Sequence, residues 1–530
     1  MPVSSCHPSH LSAVDRWRQI RDCIEGSQAI KAAGSLYLPI LGSQLDSPGS
    51  YDAYKKRALF VNAVNRTHDA ILGFLFRKPP MVQLGPEGQP PTLIEESELE
   101  NIDLQGNSLN EYARLVGDDV ASVGRCGTLI DWVEVDGLGR PRFSFYAAES
   151  ITNWRAKMIS GRMLVTMLVL KETVQIEGGT DEFDEPYETQ YRVLRLTDMG
   201  VTVSLYKGTR EIRGTNSVTR YGGDVTPQPE FLVEELGVMM RRGRPLMEIP
   251  FVFHNADHVG AEVGISPLYD LSEINISHYQ TSADLENGRH IAGVPTPYAF
   301  GLTSGGESIK PDLLYLGGPA WISDNPDAKV GFLEFTGTGL GSLEKALAEK
   351  IQAMAAIGAR MIEPKSGDAE AFETVALRAS SETSALAHMA SHLSRSMTEA
   401  LRWFVWWTGT EDSWMDVENV AFEINRDFVA SKMQPAEMQA FMAAVQAGQM
   451  SFETFFWNLK RADVYPGERT MEEEKAAIEE QMVMPIPGEP PAARPAPMVE
   501  EQENSDEDEE EQPPPPARKT ARKRARRATE

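Results

Sequence analysis

The stretch "ARMIEPKSGDAEAFETVALRASS", residues 359–381, decides the fold, because a helical pattern lies on each side of a short polar loop. Apolar residues recur every three or four positions over 340–362 and again over 374–408. Pro364 cannot continue the first helix, so that helix ends next to it. The sequence therefore predicts two long helices joined by a loop at 363–373, the first of them roughly 35 Å long at 1.5 Å per residue.

The centre of this loop consists of four small or polar residues, Lys365, Ser366, Gly367 and Asp368. Glycine, serine and aspartate favour turns. Lys365 is the only basic residue between 363 and 373, so the loop has a net negative charge. We expect it to project from the ends of the two helices and to touch an anionic partner only loosely.

The first half of the chain combines helical and strand patterns. We predict helices over 51–76 and 109–127. Alternating and β-branched residues predict strands with the sequences "TLIDWVEV", "RPRFSFY", "MLVTMLVLKETVQI", "YETQYRVLRLTD" and "VTVSLYKG". Residues 1–265 therefore read as a mixed α+β domain.

A polar helix and a β-rich insertion precede the helix at 340–362. Ser266 and Pro267 are good residues for a helix N-cap and first turn, so we predict a helix from 266 to about Ile291. Because this helix is very hydrophilic, we expect it to pack between subunits rather than in a protomer core. Residues 294–339 follow as turns and short strands, with "LLYLGG", "PAWIS" and "VGFLEF" as strand candidates.

The last part of the chain contains two short helical patterns, separated at Gly448, and then a tail. The tail, 484–530, is rich in proline and contains an acidic block, "EEQENSDEDEEE", and a basic block, "ARKTARKRARR". Such a composition buries too little apolar surface to fold alone, so we expect the tail to be disordered.

Composition limits the classes of function. The 530 residues contain 51 Lys and Arg against 78 Asp and Glu, a formal net charge of −27, which disfavours wrapping nucleic acid by phosphate neutralisation. The three cysteines show no CxxC spacing, so neither a disulfide framework nor a zinc site is indicated. The N-terminus has no apolar signal core and no apolar run is long enough to span a bilayer, so we expect no membrane association.

Two patterns could indicate a chemical site. Gly337, Gly339 and Gly341 lie between a strand and a helix, as in a nucleotide loop, but the spacing is GxGxG and no βαβ unit follows. His254 and His258 are four residues apart, but they leave a strand and have no third ligand nearby. We favour a linker and an ordinary strand exit, and predict no enzymatic activity, no cofactor and no metal.

Four segments carry a resemblance to a known family. They are "RALFVNAVNRTHDAILGFLFRKPP" (57–80), "SVGRCGTLIDW" (122–132), "SPLYDLSEINISHYQTSADLENGRHIAG" (266–293) and "ETVALRASSETSALAHMASHL" (373–393). In this order they resemble the portal proteins of tailed bacteriophages, the podovirus-type head-to-tail connector family. The resemblance covers roughly residues 50–480, and "HYQTSAD" within the third segment is its most specific piece.

The resemblance implies a ring-forming portal fold with an α/β wing, a two-helix stem, a small β-rich clip and a helical crown. It implies the following regions: 1–265 wing, 266–293 first stem helix, 294–339 clip, 340–362 second stem helix, 363–373 tunnel loop, 374–408 long helix of the wing and channel, and 409–483 crown. The tail lies outside it.

The same resemblance implies the function and the partners. A homo-oligomeric ring, expected to be a dodecamer, forms a channel at one capsid vertex, through which double-stranded DNA is packaged and later ejected. The terminase large subunit docks on the clip, where Asp324 and Asp327 are the candidate contacts, and major capsid, scaffold and head–tail adaptor or tail proteins bind elsewhere. The protein is expected in the virion after assembly in the host cytoplasm.

Two other functions stay open at this stage. One is a capsid- or scaffold-type assembly protein without a DNA channel, which the charged tail would also suit. The other is an enzyme that uses the loop at Gly337–Gly341, for which nucleotide binding would be the distinguishing property.

Overall fold

The computed structural model describes residues 2–45, 49–85, 94, 96–135, 137–175, 186–208, 231–293, 296–304, 307–308, 323–333, 339–362, 372–426, 435–461, 471, 473 and 475–476. The predicted tunnel-loop residues 363–371, the strand candidates at 313–322 and the tail 484–530 lie outside the described residues.

The longer helices include both predicted members of the hairpin. The helices are Pro8–Glu25 (α1), Ser27–Ala33 (α2), Ser50–Arg57 (α3), Ala63–Leu75 (α4), Glu96–Glu100 (α5), Leu109–Ser122 (α6), Tyr269–Ala292 (α7), Leu340–Ile362 (α8), Phe372–Thr408 (α9), Pro435–Gln446 (α10) and Phe452–Arg461 (α11).

The strands confirm the β patterns of the first half. They are Met81–Leu84 (β1), Arg125–Val135 (β2), Leu138–Ala147 (β3), Ile151–Ile159 (β4), Arg162–Gln175 (β5), Tyr187–Thr197 (β6), Gly200–Gly208 (β7), Phe231–Val238 (β8), Met240–Arg241 (β9), Arg244–Pro245 (β10), Phe251–Asn255 (β11), Thr296–Phe300 (β12), Thr303–Ser304 (β13), Glu307–Ser308 (β14), Lys329–Leu333 (β15) and Val420–Glu423 (β16). With these helices they give a mixed α+β fold.

The chain divides into two compact units, Met1–Val429 and Ala430–Glu530. The first contains a three-stranded sheet in the order β11-β2-β3 and a five-stranded sheet in the order β4-β5-β6-β7-β8. Both sheets are antiparallel throughout. In the second unit α10 and α11 form the helical pair that the sequence predicted on either side of Gly448.

Helix α9 forms the core of the first unit together with the three-stranded sheet. The side chains of its predicted apolar stripe are all buried: Leu386, Met389, Leu393, Met397, Leu401 and Phe404. Phe143 of β3 packs edge-on against Phe404, with ring centroids 5.4 Å apart. After α9 the chain returns as β16 to pair with β1, so residues 409–426, which were assigned to the crown, belong to this unit.

The predicted helix at 51–76 is wrong in one respect, because the structure has two helices there. α3 ends at Arg57 and α4 begins at Ala63, where Asn62 caps α4 by accepting a hydrogen bond from the backbone N–H of Asn65. Asparagine is a strong N-cap residue, so this position starts a new helix within an otherwise continuous apolar pattern.

The predicted start of the first stem helix is also wrong by three residues. α7 begins at Tyr269, and Ser266 makes no cap. The hydroxyl of Ser266 instead donates a hydrogen bond to the carbonyl of Ser122, and its own carbonyl accepts from the backbone N–H of Tyr269. The Ser266 hydroxyl, which was predicted to cap α7, thus makes a tertiary hydrogen bond instead.

No helix in the described parts of the chain combines the length and the apolar character needed to cross a bilayer.

Candidate functional site

The candidate site is the element formed by α7, the small strands at 296–333 and α8. Leu340 at the start of α8 lies against Gly288 near the end of α7, at a point where a β-carbon would come within 2.6 Å of its side chain. Lower down, the Lys350 ammonium donates to the carbonyl of Ser277 at 3.0 Å and to the hydroxyl of Thr281 at 2.6 Å. The two helices are therefore antiparallel and packed along their length.

An ion pair adds to this packing near the β insertion. Arg289 on α7 contacts Glu344 on α8 at 2.8 Å and Glu286, one turn back on α7, at the same distance. All three side chains are exposed, so the pairs define the register of the helices more than they stabilise them.

The polar face of α7 corrects the prediction that this helix is too hydrophilic for a protomer core. Ser272, Asn275, His278 and Ser282 are buried within the protomer. Asn275 accepts from the N–H of Ala63 and donates to the carbonyl of Val61, and Ser282 accepts from the N–H of Leu59. The break between α3 and α4 leaves backbone groups without helical partners, and the polar side chains of α7 satisfy them.

The strands between α7 and α8 form a two-stranded ribbon, in which β12 pairs with β15. Tyr298 and Phe300 lie on one face with ring centroids 5.5 Å apart, and their side chains are exposed. Val330 and Phe332 alternate with them on the other face and are also exposed. A two-stranded ribbon is marginal in water unless it packs on something, so both apolar faces are candidate contact surfaces.

The two predicted docking residues lie in the turn that precedes β15. The carboxylate of Asp324 accepts a hydrogen bond from the Thr303 hydroxyl, and its N–H donates to the Thr303 carbonyl at 3.1 Å. Asp327 is exposed, and its N–H donates to the side-chain oxygen of Asn325 at 3.0 Å. The structure thus places both carboxylates on the surface of the predicted clip, with Asp324 also holding the turn.

Lys365, Ser366, Gly367 and Asp368 lie outside the described residues. The flanking helices are described, and they end and begin at Ile362 and Phe372. The site prediction for this loop stays a prediction.

The alternative metal pair does not form a site. His254 is fully buried, with Nε2 2.8 Å from the Thr128 hydroxyl and Nδ1 2.7 Å from the Ser396 hydroxyl. His258 instead contacts Asp257 at 2.6 Å on the surface. Within the described ranges, no group of three or more His, Cys, Asp or Glu residues could hold a metal ion.

The environment of His254 explains its role. Tyr112 extends the same chain of hydrogen bonds, since its hydroxyl lies 2.8 Å from that of Thr128. The chain runs from α6 through β2 and β11 into α9, and burial lowers the pKa of His254 to about 3. The neutral imidazole links α9 to the sheet through these hydrogen bonds. Because it is fully buried, it is not accessible to a substrate.

A second buried polar group has no such partner. Arg125 at the start of β2 is 1% exposed and lies between the rings of Trp154, at 4.3 Å, and Phe253, at 4.8 Å. None of its three side-chain nitrogens has a hydrogen-bond partner among the described residues. Burial lowers the pKa of Arg125 to about 10. Sequence reasoning missed this residue, since a single arginine at a strand start carries no local signal of burial.

Comparison with known proteins adds the following findings. A family model described as "Domain of unknown function (DUF4055)" matches residues 267–408, the range from α7 to the end of α9. No curated protein matches the chain.

Several solved structures are similar to it. A chain in "Virion of native gene transfer agent (GTA) particle" has a TM-score of 0.34 and 11% identity, and the match covers 80% of this chain and 95% of that chain. A chain in "Neck of native GTA particle computed with C12 symmetry" has a TM-score of 0.34, 11% identity, and coverage of 77% and 91%. A chain in "Neck of empty GTA particle computed with C6 symmetry" has a TM-score of 0.35, 12% identity, and the same coverage.

Proposed function

We propose that this chain is a phage portal protein that assembles into a ring around a DNA channel at one capsid vertex. One observation carries the proposal: α7 and α8, of 24 and 23 residues, pack antiparallel and are joined through a ribbon with exposed apolar side chains on both faces. Among the described residues both faces of this ribbon are exposed, and neighbours in a ring can cover one on each side. The sequence resemblance in four segments supports the same assignment.

The net negative charge of the chain is compatible with a channel through which DNA must slide. Each phosphate contact adds affinity, so a strongly basic channel would hold the duplex. A net charge of −27 disfavours such a grip. In this proposal residues 363–373 form the tunnel loop between α8 and α9, and Lys365 provides a single basic contact among acidic neighbours.

The partners follow from the same proposal. The ribbon and its turns form the clip on which the terminase large subunit docks, with Asp324 and Asp327 on that surface. Head–tail adaptor or tail proteins and the major capsid and scaffold proteins bind elsewhere on the ring, which we expect to be dodecameric. The protein works in the virion after assembly in the host cytoplasm, without catalytic activity and without a cofactor.

Electron microscopy of the purified full-length chain tests this function. We expect closed rings with a central hole. Shells, sheets or tubes without such a hole would support the alternative of a capsid- or scaffold-type assembly protein instead.

The channel role has its own test within the same preparation. Deleting residues 366–368 shortens the proposed tunnel loop by its small polar tripeptide. We expect the rings and their terminase binding to persist while packaged or retained DNA decreases. Normal packaging and retention by rings with the shortened loop would contradict the assigned role of this loop.

A further inference from the structure

The five-stranded sheet of the first unit has two outer strands, β4 and β8. An outer strand leaves half of its backbone N–H and C=O groups without a strand partner, and proteins usually protect such edges. Among the residues that the structure describes, no further strand pairs with either edge, and both edges are exposed over six consecutive residues, 155–160 on one side and 232–237 on the other. Each therefore offers a template for another strand.

The β4 edge is covered at its beginning and open beyond. The N–H of His7 donates to the carbonyl of Thr152 at 2.9 Å, and the Asn153 side chain donates to the carbonyl of Ser5 at 2.8 Å. After this point Arg155 and Lys157 are exposed, and neither side chain has a hydrogen-bond or ion-pair partner among the described residues. The open part of this edge is therefore basic.

Apolar side chains accompany these two cations at the end of β4. Met158 is 65% exposed and Ile159 is 38% exposed, and Met163 opposite them on β5 is 63% exposed. The edge thus combines positive charge with unburied apolar surface.

The β8 edge carries two carboxylates, one of which is already paired with a lysine of β7. Glu234 contacts Lys207 at 2.6 Å with both side chains about half exposed, and Glu235 accepts from the Ser204 hydroxyl at 2.8 Å. Leu232, Val233 and Leu236 around them are 68%, 51% and 50% exposed. An edge strand with three exposed branched residues is a hazard for aggregation unless a partner covers it.

We propose that β4 of one copy of this chain pairs with β8 of the next copy, so that the five-stranded sheets join edge to edge. This inference rests on the proposed ring, and it names a contact that helps to build it. The two strands offer backbone groups to each other, and their apolar side chains become mutually covered.

The charges fit this pairing in either strand direction. Arg155 and Lys157 are two residues apart on β4, with a register shift against β5 between Arg155 and Ala156. Glu234 and Glu235 are adjacent and point to opposite faces, so each face of β8 carries a carboxylate that can meet a cation of β4. Opposite charges on facing strands favour pairing, and like charges at the same place oppose it.

The symmetry of the contact also suits a ring. It joins two different surfaces of the chain, and such a head-to-tail contact generates a closed ring when the rotation closes. A contact of β4 with β4, or of β8 with β8, would stop at a dimer and would place like charges side by side.

Charge reversal tests the pairing in the full-length protein. We expect Arg155→Glu with Lys157→Glu to lower the assembled fraction at least tenfold, and Glu234→Lys with Glu235→Lys to do the same. All four changes together restore opposite charges on the two edges and should return assembly to within about twofold of the wild type. Lys171→Glu, the same reversal one strand inward on β5, is the matched control and should assemble normally.

Cross-linking provides a second measurement that does not depend on assembly strength. In a Cys6→Ser background, Ala156→Cys and Val233→Cys place one thiol on each edge. A bismaleimide of about 8 Å cannot span the roughly 19 Å between the two edges of one sheet, four strand spacings apart. We expect a ladder of linked protomers only when one chain carries both cysteines.

The outcomes separate this inference from the proposed function. If every charge-reversed variant still forms rings and the double-cysteine variant gives no ladder, the edge pairing is overturned while the proposed ring remains. Linked dimers from either single-cysteine variant would overturn it in favour of a symmetric contact. A wild-type chain that forms no rings would count against the proposed function itself.

Discussion

At the scale of single residues, the structure depends on buried polar groups that are paired inside the protomer. His254 is the clearest case, because hydroxyls on β2 and α9 contact its two ring nitrogens. Its pKa of about 3 lies below the value near 6.5 of an exposed histidine. Between these pH values the unfolded chain binds a proton that the folded chain does not, so the free energy of unfolding falls as the pH decreases.

A pH series tests this consequence. At pH 5 the wild type should have lost about 2 kcal/mol through this group relative to pH 7. His254→Gln should be less stable at pH 7 by about 1–3 kcal/mol, from lost hydrogen bonds, but should show a shallower decline with pH. Urea midpoints at one fixed protein concentration give both numbers. Equal slopes for His254→Gln and the wild type would refute the assignment.

Arg125 is the opposite case, because its buried guanidinium has aromatic neighbours and no hydrogen-bond acceptor among the described residues. Burying an unpaired charge costs several kcal/mol, while cation–π contacts return about 2 kcal/mol or more when desolvated. We therefore expect Arg125→Met to unfold at an equal or higher urea concentration than the wild type. Arg125→Lys should unfold at a lower one, since it keeps the charge and loses the planar stacking. The reverse order would mean that an anion pairs with this arginine.

At the scale of elements, the ribbon between α7 and α8 exposes large apolar side chains on both faces among the described residues. Phe300 is 67% exposed and Phe332 is 54% exposed, on opposite faces. We expect Phe300→Asp and Phe332→Asp to change protomer stability by less than about 0.5 kcal/mol, as other exposed positions do, and to reduce ring formation strongly. Met199→Asp, at a site 74% exposed in the turn between β6 and β7, is the control. Size-exclusion chromatography compares the three, and normal rings from both ribbon variants would refute a ribbon interface.

The turn before β15 carries the predicted terminase contact. Asp327→Lys reverses an exposed charge whose carboxylate has no hydrogen-bond partner among the described residues, so rings should form normally. Asp324→Asn keeps an acceptor for the Thr303 hydroxyl and preserves the turn. Both variants should bind the purified terminase large subunit at least several-fold more weakly than the wild type. Unchanged affinity in both would place the docking surface elsewhere.

Elements with strong periodicity were predictable from the sequence. The bounds of α8 agree with the prediction at both ends, and the buried stripe of α9 is the predicted one. Helix α1 went unpredicted, although Ala13, Trp17 and Ile20 show the spacing of a buried helical face. The break at Asn62 was missed because one capping side chain outweighs an apolar pattern that continues through it.

The candidate site was predictable only in outline. The order of helix, small strands and helix is visible in the pattern, but the polar surface of α7 was misread. Its amide and hydroxyl groups looked unsuited to a core, and only the backbone groups of residues 58–63 show why they belong there. The pairing of distant outer strands likewise has no local signal, since β4 and β8 are separated by more than 70 residues.

At the scale of the whole molecule, the proposed function requires that the chain acts as an assembly. Among the described residues, its ribbon and the two edges of its five-stranded sheet expose apolar surface that neighbouring copies can cover. The two proposed edges are different surfaces of the chain, so successive copies can bind in one direction around a closed ring.

Native mass measurement of the purified full-length protein tests whether the chain forms a closed ring. We expect one discrete closed assembly of about 700 kDa, twelve copies of the 58.7 kDa chain, which stays the same as the concentration increases. A discrete ring with another number of copies would revise the count alone. A stable monomer at micromolar concentration, or a continuous series of masses that grows with concentration, would contradict the proposed ring.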